Sequence, residues 1–234
     1  MPQASFFAQT AIIAMVAVLA FLFIIALGKA GPDNKDKARW TVIGLLIVAV
    51  WLSVSALVAG SGILREFERR PPPFLLLAFG FTFATAILAY SPVGTRLVKG
   101  ASLAGLIAFQ AFRIPVELWL HRLYQEGVVP VQMTYEGRNF DILSGILGLG
   151  LGLWAMRGRP PRWAIWLFNV IGLALLINIV TVAILSAPVP MRRFFNEPAN
   201  TFVADWPFVW LPAFLVQAAW FGHLLVFRWL RRRS

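Results

Sequence analysis

The stretch SFFAQTAIIAMVAVLAFLFIIAL, residues 5–27, decides the fold, because it contains no charged side chain. A hydrocarbon core about 30 Å thick is crossed by a helix of roughly 20 apolar residues. The same character extends over all 234 residues, of which 59% are apolar and 13% charged. Soluble domains carry charge on about a quarter of their residues. The composition therefore predicts an all-α polytopic integral membrane protein and excludes soluble enzyme folds.

Seven apolar segments predict a single seven-helix transmembrane domain over residues 1–234. Connections rich in Pro and Gly, such as Pro71-Pro72-Pro73, separate the segments and leave no room for a soluble domain. The predicted spans are residues 5–27, 40–64, 74–90, 101–121, 142–156, 163–187 and 206–227.

The fourth span is the doubtful one, because it contains Arg113, Pro115 and Glu117. Seven crossings with an outer N-terminus and an inner C-terminus place 13 Lys and Arg inside, Arg233 among them, and seven outside. Omitting this span gives ten inside and 11 outside. Only the seven-helix arrangement has the excess of inner positive charge typical of membrane proteins, so we predict N-terminus out and C-terminus in.

The net charge of +11 is an orientation signal rather than a mark of nucleic-acid binding, since no basic stripe with polar neighbours exists. With no Cys and only two His, the chain cannot form disulfides or a multi-His metal centre, so we predict no metal site. The predicted depths of His121 and His223 differ by roughly 15–20 Å, too far for one haem iron. The cofactor stays unknown.

Polar side chains recur every three or four residues along the fourth span and therefore share one helix face. Charged groups inside a bilayer are costly and usually face a protein interior or a water-filled cavity. Arg113 and Glu117, at i and i+4, are expected to pair, and Pro115 is expected to kink the helix. The predicted stripe, in the outer half of the helix, consists of Gln110, Arg113, Glu117, His121 and Gln125.

Residues 127–141 are too apolar for a plain solvated loop and are expected to fold back over the helix ends. Together with the sixth span and the loop that follows it, they could line an outward-facing pocket. The further candidate residues for binding or proton relay are Tyr135, Glu136, Arg138, Asn139, Asp141, Asn178, Asn196 and Glu197.

Three functions stay open. The leading hypothesis is binding or transport of a small solute, ion or proton, with Arg113 holding an anionic group, Glu117 exchanging a proton or cation and His121 relaying protons. The alternatives are a membrane-embedded enzyme acting on a lipid or isoprenoid, and a structural or assembly subunit in which Arg113 and Glu117 only neutralise each other. The expected partners are the lipid bilayer and a small-molecule or ion ligand, and the sequence assigns no oligomeric state.

The run FRIPVE at 112–117, His121 and QMTYEGRNFDILSG at 132–145 resemble a family of uncharacterised multi-pass bacterial membrane proteins. Asn196-Glu197-Pro198, FVWLP at 208–212 and GHLL at 222–225 fit the same family. The resemblance covers the C-terminal half well and the first three spans poorly. It implies a location in the bacterial inner membrane, and it implies no activity.

Overall fold

The computed structural model describes residues 4–232, and the regular secondary structure of these residues is entirely helical, without any β-strand. The all-α prediction is therefore confirmed for this part of the chain. Arg233, counted above among the inner positive charges, lies outside the described residues.

Every predicted span overlaps a helix. Helix α2 begins six residues before the predicted span, because the carboxylate of Asp33 accepts a hydrogen bond from the amide of Asp36 and caps the helix. A 3₁₀ turn, Phe109–Phe112, joins α5 to α6, and a π-helical turn, Leu211–Leu215, leads into α9. The α-helices are α1 Phe6–Lys29, α2 Asn34–Gly60, α3 Pro73–Tyr90, α4 Pro92–Gly100, α5 Leu103–Ala108, α6 Arg113–Gln125, α7 Ile142–Arg157, α8 Arg162–Ser186 and α9 Val216–Arg232.

Six helical segments within residues 4–232 are long and apolar enough to cross a membrane. One of them is Leu103–Gln125, the doubtful fourth span with its charged residues. The predicted fifth span is α7, whose 16 residues extend only about 24 Å and fall short of a full crossing. Six candidate spans are thus present, and the seventh crossing stays a prediction.

The fourth span is irregular, as its proline suggests. Pro115 has no N–H, so the carbonyl of Ala111 loses its helical partner. The structure places 3₁₀ geometry at Phe109–Phe112, directly before α6. The break divides this span into α5 and α6 and lets two different surfaces face the rest of the bundle.

Contacts at the helix ends divide the bundle into two poles. At one pole, the amide and hydroxyl of Ser5, before α1, donate to Glu126, after α6, at 2.8 and 2.6 Å. Partial burial favours the neutral carboxyl, but hydrogen bonds from Ser5 and Arg122 outweigh it and lower the pKa of Glu126. At the other pole, Arg96 donates to the carbonyl of Leu27 at 2.8 Å and pairs with Asp36 at 2.6 Å. The contacts separate two poles, and the assignment of the Ser5 pole to the outer face stays a prediction.

Residues 127–141, named the returning segment below, fold back along α6. Asn139 contacts Glu117, and Asp141 contacts Arg113. Arg113 lies about 18 Å along the helix axis from Gln125, the last residue of α6. Since α7 starts at Ile142, it begins beside the middle of the fourth span rather than at its end. This is the physical reason that α7 is short.

Three glycines let α7 pack closely on the fourth span. A Cβ atom added to Gly152 would lie 2.7 Å from the Cβ and 2.9 Å from the Cα of Ala108. One added to Gly145 would lie 2.7 Å from Ile114, and one added to Gly148 would lie 3.0 Å from Gln110. Small residues at helix interfaces in membranes allow this approach of backbones.

We expect Gly152→Ala to lower the free energy of unfolding by about 1–3 kcal/mol, because the added methyl group overlaps backbone atoms of α5 that cannot rotate away. Gly150→Ala is the matched control on the same helix, since a Cβ there meets nothing within 4 Å. Unfolding in mixed micelles with increasing SDS measures both. Equal stabilities of the two variants would show that this contact is not tight.

Candidate functional site

Arg113 is the centre of a buried polar group. Its Nε atom donates to Oδ2 of Asp141 at 2.6 Å, and one terminal nitrogen donates to Oδ1 of the same carboxylate. Only 2% of the arginine side chain and 7% of the aspartate side chain are exposed. The expectation that Arg113 pairs with Glu117 is therefore wrong. The carboxylate of Asp141 accepts two parallel hydrogen bonds from the planar guanidinium, a geometry that favours this pair over one with Glu117 on the same helix.

The other terminal nitrogen of Arg113 joins two further helices. It donates to the carbonyl of Gly172 on α8 at 3.2 Å and lies 3.1 Å from Nε2 of His223 on α9. Because a guanidinium has only donors, Nε2 of the imidazole must accept. Nδ1 then carries the proton and donates to Oδ1 of Asn169 at 2.8 Å, which fixes a neutral tautomer of His223.

Glu117 has a different partner. Its Oε2 atom accepts a hydrogen bond from the side-chain amide of Asn139 at 2.5 Å. The same amide donates to the carbonyl of Met133 at 3.0 Å, and its oxygen accepts from the backbone N–H of Asp141 at 3.1 Å. No Lys, Arg or His among residues 4–232 forms an ion pair with Glu117, which is 2% exposed. The single carboxylate of the stripe is thus buried without a paired cation.

A cavity of about 120 Å³ adjoins these groups and is lined by Arg113, Glu117 and Asp141. The rest of its wall is mostly apolar and comes from α3, α6, α8, the π-helical turn, α9 and the loops that contain Met133, Asn200 and Val203. Gln217 of α9 adds a polar group and is held by hydrogen bonds with Thr82 and Thr85 of α3 at 3.2 and 3.1 Å. Other wall residues are Ala78, Met133, Val180, Ala183, Asn200 and Val203.

The other three members of the stripe, Gln110, His121 and Gln125, do not line this cavity. Gln110 is buried and donates to the carbonyl of Ala219 at 3.0 Å, so it ties the 3₁₀ turn to α9. The ring of His121 stacks on Tyr135 with centroids 4.6 Å apart, and its Nε2 lies 3.6 Å from Glu136. His121, Tyr135 and Glu136 form a separate group near the end of α6.

The remaining candidates are spread over the loops. Arg138 lies over the ring of Phe194 at 5.2 Å, and its carbonyl accepts from Asn178 at 2.7 Å. Glu197 pairs with Arg192 at 2.9 Å, and this hydrogen bond, with another from the amide of Ala199, lowers the pKa of Glu197. Arg192 also reaches the carbonyl of Asn196. None of these residues is brought to the cavity.

Sequence reasoning missed His223 and Asn169. From the sequence, His223 is considered only as a haem ligand and that role is rejected, whereas the structure buries His223 fully beside Arg113. The predicted span ended at residue 227, whereas α9 continues to Arg232 and moves His223 deeper. The available signal was that each is a polar residue inside an apolar run, Asn169 in the sixth predicted span and His223 in the seventh.

Within residues 4–232, no three His, Asp or Glu side chains come together in a way that could hold a metal ion. No curated protein and no solved structure matches this chain. One family model, described as a domain of unknown function, DUF8737, matches residues 72–231, from the start of α3 to the last turn of α9. These residues contain the returning segment and the whole buried group around Arg113. Because the match covers more than half of its length, the chain belongs to the DUF8737 family.

Proposed function

We propose that this chain crosses a bacterial inner membrane seven times, with its N-terminus out and its C-terminus in, and binds or moves a small solute, ion or proton through the cavity beside Glu117. The observation that carries the proposal is the burial of Glu117 in a cavity wall without a paired cation. The other two charged groups of that wall, Arg113 and Asp141, already satisfy each other.

The returning segment supports the topology. Irregular backbone at membrane depth is tolerated where it is buried in protein or lines a cavity, and discontinuous helices of this kind form binding sites in transporters. Residues of this segment are buried, among them Gln132, Thr134 and Asn139. A short α7 that starts inside the bundle and ends among inner basic residues completes a seventh crossing together with the returning segment.

Glu117 supports exchange of a proton or a cation. A carboxylate removed from water costs free energy unless it is paired or hydrogen-bonded on all its acceptor sites. Asn139 supplies one hydrogen bond, which leaves acceptor capacity on the carboxylate unused. A proton, or a cationic or hydrogen-bond-donating group of a solute in the cavity, would satisfy that capacity.

Arg113 has less capacity for a ligand than the sequence suggested. Its donors are directed at Asp141, Gly172 and His223, so it joins the returning segment, α8 and α9. Binding of an anionic solute by Arg113 would require breaking the ion pair with Asp141. We therefore assign Arg113 to positioning the site and Glu117 to contact with the transported species.

A lipid-modifying enzyme is the second candidate. Ala78 and Thr82 of α3, and Val180 and Ala183 of α8, line the cavity and are half-buried. A cavity wall that includes these partly exposed residues of two helices favours entry of a lipid chain from the side. A purely structural or assembly role has less support, because it requires no void beside Arg113.

Proton movement into proteoliposomes tests the proposed function. We expect a potassium diffusion potential, negative inside, to acidify the lumen of liposomes that contain the protein, as reported by a trapped pH-sensitive dye. Liposomes prepared without protein provide the background rate. A lumen pH that changes no faster than this background, at either sign of the potential, contradicts the movement of protons.

A further inference from the structure

A second cavity, of about 580 Å³, lies at the opposite pole from Glu126. The end of α4, the start of α5, the α7–α8 connection and the end of α9 surround it. Four basic side chains line it, and none of its lining residues is acidic; the four are Lys99, Arg159, Arg162 and Arg232. This set of residues is named the basic pocket below.

Most cations of the basic pocket lack an acidic partner. Lys99, Arg159 and Arg232 are exposed and form no ion pair within residues 4–232, whereas Arg162 donates to the carbonyl of Leu230 at 2.8 Å. Elsewhere at the same pole, Arg96 is paired with Asp36. Like charges gathered in one concave site repel one another, and a bound anion would relieve that repulsion.

The wall of the basic pocket is apolar as well as charged. Trp229, Ile165 and Leu103 line it beside the basic groups, and Ser102 contributes a hydroxyl. The first turn of α8, at Arg162, adds the partial positive charge of a helix N-terminus. A ligand that fits this wall has an anionic head and an apolar body.

We propose that the basic pocket binds the phosphate headgroup of an anionic phospholipid, whose acyl chains lie along the apolar wall. The pocket is at the helix ends, where the headgroups of one leaflet lie. Basic pockets between transmembrane helices on the cytoplasmic side are typical sites for anionic headgroups. Arg159 and Lys99 contact the phosphate, and Trp229 contacts the glycerol region.

Lipid retention by the full chain tests the proposal. The purified protein is titrated in detergent with phosphatidylglycerol or phosphatidylcholine, and bound lipid is counted by native mass spectrometry. We expect phosphatidylglycerol to bind at least about tenfold more tightly than phosphatidylcholine, because each nearby cation adds to the attraction of an anionic lipid. Equal retention of the two lipids would overturn the proposal.

A matched pair of variants separates a defined site from general attraction to positive charge. The pocket variant carries Lys99→Gln, Arg159→Gln and Arg232→Gln, and we expect it to lose the preference for phosphatidylglycerol. The control carries Lys35→Gln, Lys37→Gln and Arg39→Gln, which removes the same charge from exposed residues at the same pole. We expect the control to keep the preference, and an equal loss in both variants would overturn the proposal.

Two further measurements complete the test. If the triple variant does not fold, Arg159→Gln alone, in an exposed connection, is expected to weaken phosphatidylglycerol binding without changing the melting temperature. Inorganic phosphate and glycerol 3-phosphate are added as competitors. Displacement of the lipid by either at equal concentration would assign the basic pocket to a free anion and overturn the lipid proposal.

Discussion

Asp141→Asn is expected to lower the free energy of unfolding by about 3–5 kcal/mol, the cost of removing one partner of a buried ion pair. The change keeps the size of the side chain but leaves the charge of Arg113 without a counterion. Arg113 cannot turn to water to compensate, because only 2% of its side chain is exposed. Unfolding in mixed micelles with increasing SDS, followed by circular dichroism, measures the loss.

Two comparisons establish that the effect comes from burial of the pair. Glu66→Gln removes the partner of Arg69 in an ion pair whose side chains are 53% and 59% exposed, and only a small change is expected there. Arg113→Met combined with Asp141→Asn removes both charges and is expected to be more stable than Asp141→Asn alone. A loss for Asp141→Asn as small as that for Glu66→Gln would refute the assignment of Asp141 as the counterion.

The membrane-spanning character of the chain was predictable, because hydropathy and helix length report on each segment separately. The fourth span is the instructive example. Its charges argue against insertion, yet the distribution of Lys and Arg over the loops requires it, and the structure has Leu103–Gln125 as a candidate span. A property of the whole chain thus favours the same span that its charged residues argue against.

The partner of Arg113 was not predictable in the same way. Helical spacing relates residues three or four positions apart, whereas Asp141 lies 28 positions further along the chain. The returning segment has no helical periodicity from which its path could be read. The correct expectation that residues 127–141 fold back was based on their apolar composition, which gives no register against α6.

Two residues of the returning segment each bind a different charged residue of the site. Asn139 binds Glu117, and Asp141 binds Arg113, so a single short stretch holds these two residues of α6 in different environments. Arg113 is neutralised by a carboxylate, and Glu117 receives only an amide. This difference, rather than the presence of two charges on one helix, is the reason that we propose Glu117, and not Arg113, as the residue that contacts the transported species.

Glu117→Gln is expected to reduce proton movement into proteoliposomes by at least about tenfold, to the rate of protein-free liposomes, because an amide cannot carry the proton. The amide oxygen can still accept the hydrogen bond from Asn139, so the fold and the site geometry are retained. Reconstitution efficiency and melting temperature should therefore equal those of the wild type. These two measurements separate a loss of proton movement from a loss of protein.

Glu68→Gln is the matched control for this variant, since it removes a carboxylate from an exposed loop on the same predicted face. Its proton movement should equal that of the wild type. Glu117→Asp tests position separately from charge, because the shorter side chain keeps an exchangeable proton but moves it away from Asn139; an intermediate rate is expected. If Glu117→Gln and Glu68→Gln both move protons as fast as the wild type, the proton route does not pass through Glu117. The cavity would then favour the second candidate, a lipid-modifying enzyme.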